Sequence, residues 1–287
     1  MSEPKKHHYV PRSYQELFRN LETNEIYRLD MSTGKSTRSN PENTLYKKHL
    51  YTLENPPKGI ERTHIENPLL SELDDRFVKA IRELDNDIKS VDKETLSICV
   101  SFLRNRTPSR IEEFGQHAAE NQLNDIYNHI LLDPQKTEQA KQIGFELTSF
   151  ENFKSSLQGI TVSAGNDYNL QGFLVSSSFL SSSFFEKKWT LLVSNSKSFI
   201  TSDKPVTATE IIDDDSGQIS QFYLIPLSSR FCIKSHFFDG DIDIIEIGDE
   251  EIDEVNMAIA YCAQQLIVGP SEPQLQKLFE NIGQLKV

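Results

Sequence analysis

A chain of 287 residues, 37 % hydrophobic and 25 % charged, is long enough to bury a sizeable core and too apolar to be disordered. Its net charge of −13 argues against nucleic acid coating the whole surface, because an acidic body repels phosphate. No run approaches about 18 consecutive apolar residues, which excludes a transmembrane helix.

Residues 1–50 carry nine Lys/Arg and six Asp/Glu, a net of +3, while the remainder carries 21 and 37, a net of −16. The imbalance reads either as a local basic mouth on an acidic body or as charge that keeps the protein dissolved. The opening residues lack the apolar core of a secretory signal. Cys99, Cys232 and Cys262 are few, odd in number and far apart, which argues against a zinc ribbon or a disulfide framework. A cytoplasmic location is expected, with no membrane partner.

In chain order, Pro11 biases Val10 towards extended backbone, so His8-Tyr9-Val10 reads as a short strand, and Arg12 to Asn20 as a turn or two of helix. Glu25 to Asp30 alternates as a strand, and Ser32-Thr33-Gly34-Lys35 closes a hairpin. His49 to Leu53 is a further strand candidate. Ile65, Leu69, Leu73, Phe77, Ile81, Leu84 and Ile88 recur at helical spacing and mark one buried face. Asp92 is placed to cap a helix from Lys93 to Leu103. Thr107-Pro108 and Asp133-Pro134 each carry the signal of a capping residue followed by proline in the first turn.

Beyond residue 160 the sequence leans towards β. Strands are expected at Trp189–Val193, Ser198–Thr201, Gln221–Ile225 and Arg230–Lys234. Ser176 to Ser183 is ambiguous, since its apolar spacing suits a helix but serine is a mediocre helix former. Asp213 to Gly217 reads as a polar turn without the pattern of a calcium loop. Glu250 to Ile267 reads as an amphipathic helix, and a short last helix follows Glu272-Pro273. The expected fold is one α+β domain over 1–287: a small N-terminal β-containing unit (1–60), a helical middle (61–157), and a mainly antiparallel C-terminal sheet closed by terminal helices (158–287).

Three segments can carry chemistry. His7 and His8 bring imidazole, suited to acid–base work near neutral pH or to metal ligation; the bland alternative is a basic tail. Adjacent residues of a strand point to opposite faces, so only one ring is expected in a given pocket. Arg104, Arg106 and Arg110 surround a helix start, where free N–H groups already favour an anion; the alternative is a solvated or ion-paired basic face. Ser202 and Asp203 follow an apolar strand, where Asp203 can orient a histidine, hold a metal or accept a proton, or simply form a turn before Pro205. No GxGxxG, P-loop or GxSxG is present.

Taken together the segments resemble a bacterial family known as domain of unknown function 4238. The resemblance rests on His7-His8-Tyr9-Val10-Pro11, Arg106-Thr107-Pro108, Ser202-Asp203-Lys204-Pro205-Val206, Pro226-Leu227-Ser228 and Asn256, in that order. One departure is Leu103, where members often carry Gln. The resemblance makes an ordered role for His7-His8 the expectation, and implies no activity. A looser similarity links the histidine pair to HNH-type toxin nucleases, with Asn43 and His49 as the residues such a finger would need. The resulting expectation is a phosphodiester hydrolase of nuclease type. His7 or His8 would be the base, Asp203 its orienter or a metal ligand, and Arg106, Arg110 and Ser202 would bind substrate. A divalent metal is an optional cofactor, and nucleic acid or a phosphate-bearing ligand the partner. The alternative is a non-catalytic module that binds a phosphate-bearing ligand or a protein in the same cleft.

Overall fold

The computed structural model describes residues 6–157, 165–212 and 219–285. The first stretch supplies β1 (Lys6–His8), α1 (Arg12–Gln15), β2 (Tyr27–Asp30), β3 (Ser36–Arg38) and β4 (Tyr46–Lys48). Six helices follow: α2 (Ser71–Asn86), α3 (Lys93–Asn105), α4 (Pro108–Leu132), α5 (Pro134–Gln142), α6 (Phe150–Ser156) and α7 (Asn166–Glu186). The rest is β5 (Lys187–Ser194), β6 (Thr201–Ser202), β7 (Thr207–Ile212), β8 (Ile219–Pro226), β9 (Phe231–Asp239), β10 (Ile242–Ile247), α8 (Asp249–Cys262), β11 (Leu266–Gly269) and α9 (Glu272–Leu285). This is the α+β architecture expected from the sequence. The acidic turn at 213–217 lies outside the described residues.

Local signals explain the helix starts. Asp92 accepts from the Thr95 N–H at 3.0 Å, and Asp133 accepts from Gln135 and Lys136. Thr107 is the N-cap of α4, with Pro108 in the first turn, but its side chain makes no capping bond. The serine-rich segment is helical because it packs. Ser177 is fully buried, donates to the Phe173 carbonyl and accepts from Asn105 of α3 at 3.3 Å. Small side chains there let two helices approach, which outweighs the modest propensity of serine.

The described residues form three sheets: β1–β4, a five-stranded sheet in the order β10-β5-β9-β8-β7, and a four-stranded sheet in the order β3-β2-β11-β6. All neighbours run antiparallel except β10 and β5. Strand β5 is buried on both sides. Trp189, Leu191 and Val193 join a core with Phe77, Val100 and Phe173, while Leu192 joins a second core with Leu29, Ile259 and Leu275.

Strand β2 of the N-terminal unit sits inside the four-stranded sheet and pairs with β11 across Leu29 and Ile267. Two sequence expectations change. The helix expected to reach Ile267 ends at Cys262, and Leu266–Gly269 is a strand between β2 and β6. Residues 49–51 are a turn and 52–53 are irregular rather than a strand, with His49 at φ +55°, and the strand lies just before them at Tyr46–Lys48.

Candidate functional site

The three chemistry-bearing segments meet around the N-terminus of α4. Part of each segment is buried as framework, and part lines a cleft.

The framework is a network centred on Arg106, which is 2 % exposed. Its guanidinium bonds the Asp74 carboxylate at 2.6 Å and donates to the His8 carbonyl at 2.8 Å. It also lies over the Tyr51 ring, 5.7 Å from the centroid. Tyr51 in turn donates its hydroxyl to the Arg106 carbonyl at 2.8 Å, and its N–H to His7 Nδ1 at 2.8 Å. That last bond fixes Nδ1 as an acceptor. The His7 ring is buried and stacked on Tyr51, with centroids 5.5 Å apart. His8 is half-buried and turns the other way, as strand geometry requires: Nε2 lies 3.2 Å from the Glu42 carbonyl, and burial pulls its pKa below the ordinary histidine value. Ser202 is fully buried and closes a turn, donating to the Lys204 carbonyl and accepting the Lys204 N–H.

The structure therefore brings Arg106 and His8 into direct contact, through the His8 backbone rather than its ring. Neither histidine ring nor Arg106 nor Ser202 is among the side chains lining the two cavities of the cleft.

Those cavities lie side by side and share Thr107, Ser109 and Gln264 as walls. The first, about 350 Å³, is faced by Tyr9, Tyr46, Lys47, Glu112, Asp203 and Gln265. Asp203 is 5 % exposed and accepts the backbone N–H groups of Gln264 and Gln265, one on each oxygen, both at 3.0 Å. Burial pushes its pKa up, and the same N–H groups oppose that shift. Burial and the nearby Asp203 charge both raise the Tyr9 phenol, so it stays protonated. The second cavity, about 320 Å³, is faced by Arg104, Arg110, Glu113, Lys204 and Pro205. Three cations there face one carboxylate. Arg110 pairs with Glu113 at 2.5 Å, whereas Arg104 and Lys204 form no ion pair among the described residues. In the first cavity Lys47 is matched by Glu112 at 2.9 Å.

The first turn of α4 opens between the two cavities without a side-chain cap, and the first bond on its carbonyls is Ile111 N–H to Thr107 at 3.1 Å. Its partial positive charge adds to that of Arg104 and Lys204. Among the described residues, no three His, Cys, Asp or Glu side chains are grouped as metal ligands.

Sequence reasoning singled out Asp203, Arg104 and Arg110, and each lines the cleft. It passed over Tyr9, Thr107 and Lys204 although they sit inside the quoted motifs. Lys47, Gln264 and Gln265 carried no usable signal, because β4 was displaced and the glutamines fell within the expected helix. An HNH finger is absent from the region considered for it. Asn43 ends a 3-10 turn, Pro41–Asn43, and His49 lies in the turn after β4, with no ββα unit around them. No helix among the described residues is long and apolar enough to cross a membrane.

No curated protein and no solved structure matches the chain. A family model described as "Protein of unknown function (DUF4238)" matches residues 6–272, and the chain belongs to that family.

Proposed function

We propose that the cleft at the N-terminus of α4 binds a phosphate-bearing ligand, with Lys204, Arg104 and Arg110 as the anion-recognising side chains. The observation that carries this reading is the charge excess of the second cavity, beside an uncapped helix start, on a protein of net charge −13. Phosphate oxygens suit both the free first-turn N–H groups and the guanidinium forks. Arg106 serves differently, holding the His8 carbonyl so that Tyr9 is presented to the cleft.

A second reading, phosphodiester hydrolysis in the same cleft, is favoured by Asp203, a buried carboxyl lining the first cavity, whose pKa burial raises above the ordinary aspartate value. In that case Asp203 acts on water, and His7 and His8 support the strand that carries Tyr9.

The test is a panel of pyrophosphate, nucleotides and short RNA and DNA, scored for thermal stabilisation and turnover with and without divalent cations. Binding without turnover, weakened about tenfold by Lys204→Ala, is the expected result for the loss of one charge-assisted contact. Turnover lost in Asp203→Asn with binding retained would select the hydrolase instead. Neither stabilisation nor turnover with any phosphate compound rejects both.

A further inference from the structure

A cavity of about 770 Å³ lies away from the cleft, wedged between α8 and one face of the five-stranded sheet. That volume is within the range of small-molecule sites. Its walls are mostly apolar: Leu192, Phe222 and Leu224 from the sheet, Val255, Met257 and Ala258 from α8. One cation interrupts this lining. Lys234 of β9 projects into it with its Nζ over the Phe222 ring, 4.1 Å from the centroid. Among the described residues, Lys234 forms no hydrogen bond or ion pair with any side chain. Burial pulls its pKa below the ordinary lysine value, a sign that the ammonium lacks compensation.

The other ionisable groups do not supply that compensation. His236, two residues along the same strand, is disfavoured as a cation by burial and by Lys234, and its Nε2 lies 3.1 Å from the Thr190 hydroxyl. Of the acids at the mouth, Asp253 is bound by Lys197 at 2.6 Å, Glu251 accepts the Gly248 N–H at 3.0 Å, and Glu210 accepts from Gln221. Glu254 stands exposed at the rim. An anion with several charges would meet this acidic mouth unfavourably, whereas a single carboxylate can pass it and reach the lysine.

We propose that this wedge binds a small monocarboxylate with an apolar body, its carboxylate on Lys234 and its hydrocarbon between α8 and the sheet. The charge complementarity is local and single, and the remaining walls reward apolar surface.

Calorimetric titration of the full chain with decanoate, 1-decanol and decylamine, all below their aggregation range, tests the assignment. Decanoate is expected to bind saturably and at least tenfold more tightly than 1-decanol. Lys234→Met, which keeps an apolar stem of similar volume, is expected to erase that difference. Met257→Trp, which fills the wedge from α8, is expected to abolish binding of both. Lack of saturable decanoate binding, equal decanoate affinity in wild type and Lys234→Met, undiminished binding by Met257→Trp, or a preference for decylamine would each overturn the proposal. The phosphate cleft shares no residue with this wedge, so failure here leaves that reading untouched.

Discussion

Arg106 illustrates how a residue type can be read correctly and its task misjudged. Arginine beside a helix start suggests an anion site, but the guanidinium is spent on Asp74, the His8 carbonyl and the Tyr51 ring. Sequence could not show this, since Asp74 lies 32 residues away on another helix. Arg106→Ala should cost about 3–5 kcal/mol in denaturant unfolding, because Asp74 and the His8 carbonyl lose their partner in a dry interior. Glu66 adds a pH effect at the same network. Burial outweighs the Arg106 attraction and lifts its pKa to about 7, with Oε2 buried and unbonded. The folded state therefore binds this proton more tightly than the unfolded one, and stability falls as pH rises from the ordinary glutamate value to about 7. Glu66→Gln should stabilise the protein at pH 8 by about 2 kcal/mol, and the gain should shrink towards pH 5. A melting curve series across that window decides; an equal gain at both pH values would show that Glu66 does not titrate there.

At the scale of elements, what was legible was local. Asp92, Thr107-Pro108 and Asp133-Pro134 marked helix starts because caps and fixed proline dihedrals act within a turn. The β2–β3 hairpin was equally readable. What was not legible depended on distant partners. Residues 266–269 continued a helical pattern, yet pairing with β2 on one side and β6 on the other made them a strand. The same limit hid Gln264 and Gln265, whose place at the cleft follows from the break after α8 and from Asp203 clamping their N–H groups. Helix packing offers a test. A Cβ at Gly115 of α4 would meet Asn169 Oδ1 of α7 at 2.1 Å, and one at Gly172 of α7 would meet Phe114 Cβ at 3.0 Å. Gly115→Leu should therefore lower stability by about 1–3 kcal/mol through overpacking, despite leucine's better helix propensity. A gain in midpoint would mean that α7 is free to move aside.

Over the whole molecule, the motif segments divide between buried support and cleft lining. His7, Arg106 and Ser202 are buried and bind the N-terminal strand, the α3–α4 junction and the turn after β6; Tyr9, Thr107, Asp203 and Lys204 face the cleft those contacts hold open. That division separates two kinds of variant. Changes at Arg106 should reduce stability, while Lys204→Ala should leave the melting temperature within about 1 °C, as for a half-exposed side chain with no ion pair among the described residues. The most direct measurement is calorimetric titration of pyrophosphate into wild type and Lys204→Ala at low ionic strength. Saturable one-site binding to wild type is expected, weakened about tenfold in the variant and further by added salt. Binding that is absent in wild type, or unchanged by Lys204→Ala, would contradict it.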